Sequence, residues 1–286
     1  MDSALTEGYG GYYKCPGGNL LKHGNGIIYA SSPLLGSVVF IAHGFLSRIG
    51  GISKGPFSSL NYDVREGDNK VNIEHHKAVV GRLFGFEAKR LLTINQVHGD
   101  DVLVIDKPVK NISDMSKTSA DAIITNQYGV AIGVMTADCV PIILVDTVKK
   151  VIGMVHAGWK GTVKGVIPRT LEKMVKQFGS DKKAILAAIG PSIGQCCYEV
   201  DRSVVKEFGV TGSDSGDNEF IKKEGDGWRI DLKRANLNQL LSAGILEKNI
   251  SMESICTSCR NDLFFSYRAD GKKTGRQLNF IVMKGS

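Results

Sequence analysis

The chain is expected to fold as a single α/β (α+β) domain in which mixed β-sheets are flanked by helices, and three observations predict this. Between residues 91 and 155 the sequence is a succession of short apolar runs of strand length. The clearest helical periodicity, at residues 162–178, has such a run on either side. No internal repeat and no Pro/Ser-rich linker divides the 286 residues, so nothing marks a second domain. With 42% hydrophobic and 23% charged residues the composition is that of a globular protein, which excludes disorder, collagen and coiled coil.

Residues 1–35 are rich in Gly and Tyr with little periodicity, and are expected to form a peripheral segment before a domain spanning 36–284. That domain opens with the apolar run SVVFIAHGFL (37–46). From Asn72 to Phe86, Val79, Val80, Leu83 and Phe84 recur at helical spacing, and Gly85 stands where such a helix stops. Strands are predicted at LLTINQV (91–97), DVLVI (101–105), DAIIT (121–125), VAIGVMT (130–136), PIILVD (141–146) and VIGMV (151–155). TVKGVIPRTLEKMVKQF (162–178) places Val163, Val166, Ile167, Leu171, Met174, Val175 and Phe178 on one face, with Thr162 as N-cap and Gly179 as stop. ILAAIG (185–190) then completes a β-α-β unit with that helix as crossover. The polar, Gly-rich stretch 211–227 is expected to be a surface loop, DLKRANLNQLLSAG a helix and LNFIVMK a final strand.

Charge and cysteine usage narrow the class of function. Thirty-six Lys and Arg against 29 Asp and Glu leave +7, which favours anionic ligands such as phosphate; without a clustered basic stripe it does not point to nucleic acid. The N-terminus lacks a basic region followed by an apolar one, and no run of 18 apolar residues occurs, so a soluble cytoplasmic protein without a membrane partner is expected. Six cysteines, two of them adjacent at Cys196 and Cys197, do not resemble a secreted disulfide framework, and reduced thiols are expected. Thirty-four glycines exceed the average share of about 7%, which suggests tight turns and close approach to a ligand.

Three residues of ligand type stand just beyond strand runs: His98 after LLTINQV, Cys139 after VAIGVMTAD and His156 after VIGMV. Strand ends are where α/β folds gather reactive groups, and two imidazoles with one thiolate can hold Zn²⁺ with a fourth position open. The same spacing also suits two hydrogen-bonded core histidines and a small buried cysteine. In HAGWKG (156–161), Gly158, Lys160 and Gly161 lead from a strand into a helix N-terminus, a phosphate-cradle pattern that equally describes a tight βα turn. Arg48 is a further cation in a Gly-rich turn. Cys256 and Cys259 form a CxxC pair that suits half a zinc knuckle or a redox dithiol, although no second CxxC occurs. Arg268, Asp270 and Arg276 lie in a turn-forming stretch that is more often surface than site. There is no GxGxxG, Walker A, GxSxG or HExxH.

The segments HGFLSRIGGISKGPFSSLNYDVREGDN, NQVHGDDV, ADAIITN, MTADCVPIILVD, VHAGWKGTVKG, IGPSIGQCCYEVD and FFSYRADGKKTGRQ cover most of residues 43–277. In that order they closely resemble the YfiH/YlmD family, the laccase-domain or multicopper polyphenol oxidase family that includes the FAMIN-like purine nucleoside phosphorylases. The resemblance implies a YfiH-like fold and places the family's metal-binding His, Cys and His at His98, Cys139 and His156. Zinc is the implied metal and copper the alternative. Where the family commonly has a second Arg in SYRRDG, this chain has Ala269.

Family members are described as purine nucleoside phosphorylases that also deaminate adenosine and cleave methylthioadenosine. The implied partners are therefore adenosine, inosine or guanosine together with inorganic phosphate, the latter held by Arg48, Lys160, Gly158 and Gly161. One open-site zinc would serve both activities; no HxE followed by PCxxC of the cytidine-deaminase type is present. A copper-dependent, laccase-like polyphenol oxidase needs many imidazoles, and this chain has six histidines with no HxH pair. A third reading takes Cys139 as nucleophile and His156 as base in a cysteine or amide hydrolase acting on peptidoglycan precursors. A metal-binding partner protein without turnover is the fourth. Monomer and homodimer are both open.

Overall fold

The computed structural model describes residues 13–14, 20–209, 219–225 and 227–285. Two sheets face each other. The first contains β1 (Tyr13–Lys14), β2 (Leu20–Gly24), β3 (Ile27–Ala30), β4 (Ile41–Leu46), β5 (Leu91–Thr93), β8 (Ala131–Thr136) and β16 (Gln277–Met283), in the order β1-β2-β3-β4-β16-β8-β5. The second contains β6 (Val102–Ile105), β7 (Ala122–Thr125), β9 (Val140–Asp146), β10 (Val151–Ala157), β11 (Ile185–Ile189) and β15 (Ile250–Met252), in the order β15-β11-β9-β10-β7-β6. Pairing is antiparallel except at β5–β8, β6–β7 and β11–β15, so both sheets are mixed. A third sheet joins β12 (Glu199–Val200), β14 (Gly227–Ile230) and β13 (Ile221–Glu224).

The central apolar runs are continuous because their strands are buried on both faces. Along β9, Ile143 and Val145 point into the layer between the sheets, where they meet Phe45, Val134, Ile281 and Met154. Ile142 and Leu144 point the other way, toward Leu171, Met174, Leu240 and Trp228. Along β16, Ile281 and Met283 face the inner layer while Leu278, Phe280 and Val282 pack outward with Val80. Val80 lies on α2 (Lys70–Phe84), so helices cover both outer faces of the sheet pair. Gly85 ends α2 in the left-handed region at φ 77°, where the stop was expected, and the side chain of Asn69 caps its start, which lies before the apolar spacing begins. The short helices α1 (Pro33–Gly36), α5 (Arg202–Glu207) and α7 (Tyr267–Asp270) lie in connections. The result is the single mixed α/β domain expected.

Three local expectations are corrected. The helix predicted at 162–178 is two helices, α3 (Trp159–Lys164) and α4 (Val166–Phe178), joined at Gly165 with φ 81°. Pro168 in the first turn of α4 has no N–H to continue an unbroken helix, and Thr162 lies buried inside α3 rather than at a cap. The β-α-β unit expected over 151–190 is present: β10 and β11 each pair antiparallel with β9, which lies between them, so they run parallel to each other with α3 and α4 as the crossover. The stretch 211–227 is not all loop: residues 211–218 and 226 lie outside the described residues, and the remainder contributes the β13–β14 hairpin. Residue 35 is no boundary in the sheet, because β3 pairs with β4 and Leu21 and Ile27 are fully buried. The helix over DLKRANLNQLLSAG is present as α6 (Leu232–Ser242), capped by Asp231.

His43 on β4 gives the fold an acid-sensitive point. It is buried, and its Nε2 accepts a hydrogen bond from the Ser32 N–H at 3.0 Å, which requires the neutral ring. Burial, with Lys22 adding repulsion, pulls its pKa down to about 4. Protonation therefore favours the unfolded chain as pH falls from about 6.5 through about 4, a loss on the order of 3 kcal/mol. Urea midpoints of the wild-type protein are expected to drop across that window, and those of His43→Gln to drop less. Parallel pH slopes would remove His43 as the cause.

Candidate functional site

The site forms where the chain steps from one sheet to the other. β5 in the first sheet leads through residues 94–101 to β6 in the second, and His98 lies on that step with φ 58°. β8 in the first sheet leads through Ala137, Asp138 and Cys139 to β9 in the second, with Asp138 at φ 95°. Because β9 runs antiparallel to β10, its start lies beside the end of β10, with Pro141 opposite His156. Both steps therefore deliver their side chains to the end of β10. One ligand atom from each of His98, Cys139 and His156 lies within 4.8 Å of the others, and Cys139 Sγ is 3.8 Å from His98 Nε2.

Asp121, fully buried just before β7, organises this group. Its carboxylate accepts hydrogen bonds from the backbone N–H groups of Val97 (3.2 Å), His98 (3.0 Å) and Gly99 (2.6 Å). Its Oδ1 also lies 2.7 Å from His156 Nδ1. Burial would raise the Asp121 pKa, but His156 and the backbone donors outweigh it and hold the carboxyl below its ordinary value. One buried carboxylate thus fixes the loop that carries His98 and turns the Nε2 edge of His156 toward Cys139. A carboxylate behind an imidazole is the usual support of a metal-bound histidine.

The Cys139 thiol is also tuned. Burial pushes it up, yet His156 and His98 bring it down to about 6, while Cys139 and Asp121 overcome the effect of burial on His156 and raise it to about 9. Each of the two therefore favours the charged form of the other, thiolate and imidazolium. Asp138 anchors the same turn: Oδ1 accepts from Thr257 Oγ1 and Oδ2 from the Arg268 N–H, both at 2.7 Å.

The group opens into a cavity of about 560 Å³. Its wall holds three arginines (Arg65, Arg268 and Arg276) and three aromatic rings (Trp159, Tyr198 and Tyr267). Such a volume suits a drug-sized ligand. Burial pushes the Tyr198 phenol well up, with Cys139 adding to the rise, so it stays a hydrogen-bond donor at neutral pH.

The residues expected to hold phosphate fall elsewhere. The Arg48 guanidinium is occupied: it donates to the Ser58 and Asn261 carbonyls, pairs with Asp270 at 3.1 Å, and stacks 4.5 Å above the Phe265 ring. Lys160 is exposed, and neither it nor Arg48 lines the cavity. Gly158 and Gly161 provide close approach instead. A Cβ on Gly158 would stand 2.8 Å from His98 Cδ2 and 3.1 Å from Cys139 Sγ, and one on Gly161 would stand 2.9 Å from the Gly99 carbonyl oxygen. The cations facing the cavity are Arg65, which pairs bidentately with Asp63, and Arg268 and Arg276. Arg268 and Arg276 stand in the turn-forming stretch whose sequence is more often surface than site, and the chain path brings them here. Asp121 is legible as an acid in front of the buried strand Ala122–Thr125, where an unpaired carboxylate is costly.

The donor set fits a metal. Two imidazole nitrogens and one thiolate around tetrahedral zinc would be separated by about 3.6 Å along each N···S edge, close to the His98–Cys139 distance. Among the described residues, only these two of the six histidines join such a group. His76 has both ring nitrogens engaged, with the Ile52 N–H and the Asn61 carbonyl, and His43 is tied to Ser32. Among the described residues the many-imidazole cluster of a multicopper oxidase is therefore not assembled.

A mixed two-sheet domain with a His/Cys/His group at the seam of its sheets is the class that fold and site define. The chain belongs to the YfiH/YlmD family: residues 42–284 match the family model described as multi-copper polyphenol oxidoreductase laccase. It is 34% identical over 253 residues to the purine nucleoside phosphorylase YlmD of Geobacillus stearothermophilus, covering 87% of this chain and 91% of the relative. The crystal structure of that YlmD superposes with a TM-score of 0.82 at 31% identity, over 92% of this chain and 98% of the other. A further relative, adenosine deaminase RL5 from an unknown prokaryotic organism, is 33% identical over 235 residues, covering 81% of this chain and 89% of its own. No helix among the described residues is long and apolar enough to cross a membrane.

Proposed function

We propose that the protein is a cytoplasmic purine nucleoside phosphorylase that also deaminates adenosine and cleaves methylthioadenosine. One cavity would serve these reactions, built over zinc held by His98, Cys139 and His156. The observation that carries this reading is the placement of three arginines and three aromatic rings around the His/Cys/His group in a single cavity. The names of the relatives supply the substrate class. Trp159, Tyr198 and Tyr267 offer faces on which a purine stacks, and Tyr198 offers a donor to a ring nitrogen. Arg268 and Arg276 hold the phosphate whose oxygen forms the new bond to C1′ as the bond from C1′ to the purine nitrogen breaks. A bound zinc supplies Lewis acidity to this polar end of the cavity. Asp121 keeps the His156 imidazole oriented and the backbone at His98 in place throughout.

Incubating the purified protein with inosine, with and without inorganic phosphate, tests the reading. Hypoxanthine and ribose 1-phosphate are expected only when phosphate is present. Free ribose at an unchanged rate without phosphate would make the enzyme a hydrolase, and no base release from any purine nucleoside would reject the assignment.

One observation favours a second reading. Cys139, His156 and Asp121 stand in the order of a nucleophile, its base and the group that orients the base. This is the arrangement of a cysteine hydrolase, and it is separated from the first reading by removal of metal.

A further inference from the structure

We propose that Cys196, Cys197, Cys256 and Cys259 form a second metal centre, a closed four-thiolate zinc site that fastens one wall of the catalytic cavity. The CxxC pair at 256 and 259 finds its missing partners in the adjacent cysteines about sixty positions earlier: all four Sγ atoms lie within 4.8 Å of one another. Cys259 Sγ is 3.6 Å from Cys196 Sγ and 3.4 Å from Cys197 Sγ. These separations exceed a disulfide bond of about 2.05 Å and are close to the edge of about 3.8 Å expected between thiolates around tetrahedral zinc. Iron–sulfur clusters hold their thiolates farther apart, around several metal ions, so the spacing suits one ion.

The backbone is shaped for this arrangement. Residues 195–197 form a turn in which the Cys197 and Tyr198 N–H groups both donate to the Gly194 carbonyl, which brings two adjacent side chains to the same side. A Cβ on Gly194 would stand 3.2 Å from both Cys196 Sγ and Cys256 Cβ, so a larger residue there would crowd the cluster. The Gly194 and Cys259 N–H groups point at Cys256 Sγ, at 3.2 and 3.5 Å, the support that a thiolate ligand needs. Four thiolates around a divalent cation carry a net negative charge, and cations surround them. Arg229 donates to the Cys196 carbonyl, Arg268 to that of Cys197, and buried Lys233 to that of Ile255.

With four protein donors no position is left for substrate, so the centre is structural. It ties the loop after β11 to the loop after β15. The first of these loops carries Ile193 and Tyr198 into the cavity, and Arg268, on α7 beyond the second, donates to the carbonyls of Cys197 in that first loop and of Glu199 just after it.

Metal content in a Cys139→Ser background, where the catalytic group is broken, isolates this centre. About one zinc per chain is expected to remain there, against about two in the parent, and adding Cys256→Ser and Cys259→Ser is expected to remove it. The unmodified protein gives a second reading that needs no variant. Substitution with cobalt is expected to produce the sulfur-to-metal charge-transfer and visible bands of a tetrahedral four-thiolate ion. After denaturation with chelator and no reductant, all six thiols of the chain are expected to titrate. A Cys139→Ser protein that purifies without zinc, zinc indifferent to the Cys256 and Cys259 replacements, or thiols missing in pairs as disulfides would each overturn the proposal. None of these outcomes depends on whether the cavity turns over nucleosides.

Discussion

Cys139→Ala is expected to lower phosphorolysis of inosine by about a thousandfold, equivalent to roughly 4 kcal/mol of transition-state stabilisation, the scale on which a Lewis-acid site acts. The expectation follows from the position of Cys139 between the two imidazoles, where its thiolate is at once the charge that balances His156 and the third donor of the group. Asp121→Asn is expected to act more mildly, lowering metal affinity about ten- to a hundredfold, because the ligands survive but their orienting carboxylate does not. Stripping the wild-type protein with chelator separates ligand from nucleophile. A metal enzyme loses activity and regains it on adding zinc, and its Cys139 becomes open to alkylation only in the stripped state. Full activity after stripping, with a covalent intermediate trapped on Cys139, would replace the phosphorylase reading with the hydrolase one.

What the sequence made legible follows from where information is local. Strands such as β9 and β10 announce themselves because burial on both faces demands an unbroken apolar run, and His98, Cys139 and His156 could be found because each stands at the end of one. The join at Gly165 was hidden by apolar spacing that continues across it in one register, although Gly165 and Pro168 together carried the warning. The cations were misplaced for a different reason. Arg48 and Lys160 are close to the site residues or to a strand in sequence, whereas Arg268 and Arg276 arrive from more than a hundred positions away through long-range contacts, such as that between Asp138 and the Arg268 N–H. The four-cysteine group was missed because its second half is an adjacent pair rather than another CxxC.

Replacing Arg268 or Arg276 with Ala is expected to depress phosphorolysis by roughly a hundred- to a thousandfold, the effect of removing a group that stabilises charge on the reacting oxyanion. Deamination of adenosine consumes water and no phosphate, so it is expected to fall by less than about tenfold in the same proteins. Lys160→Ala, which changes an exposed side chain outside the cavity lining, is expected to leave both activities within about threefold. Arg268 also ties loop carbonyls together, so its variant needs a readout that misfolding alone would not give. A rise in KM for phosphate well beyond the rise in KM for the nucleoside supplies it. Equal loss of both activities in the Arg276 variant, whose side chain donates to its own turn at the Thr274 and Gly275 carbonyls, would mean that the arginines shape the wall rather than hold phosphate. Loss of phosphorolysis in Lys160→Ala would return the phosphate to the start of α3.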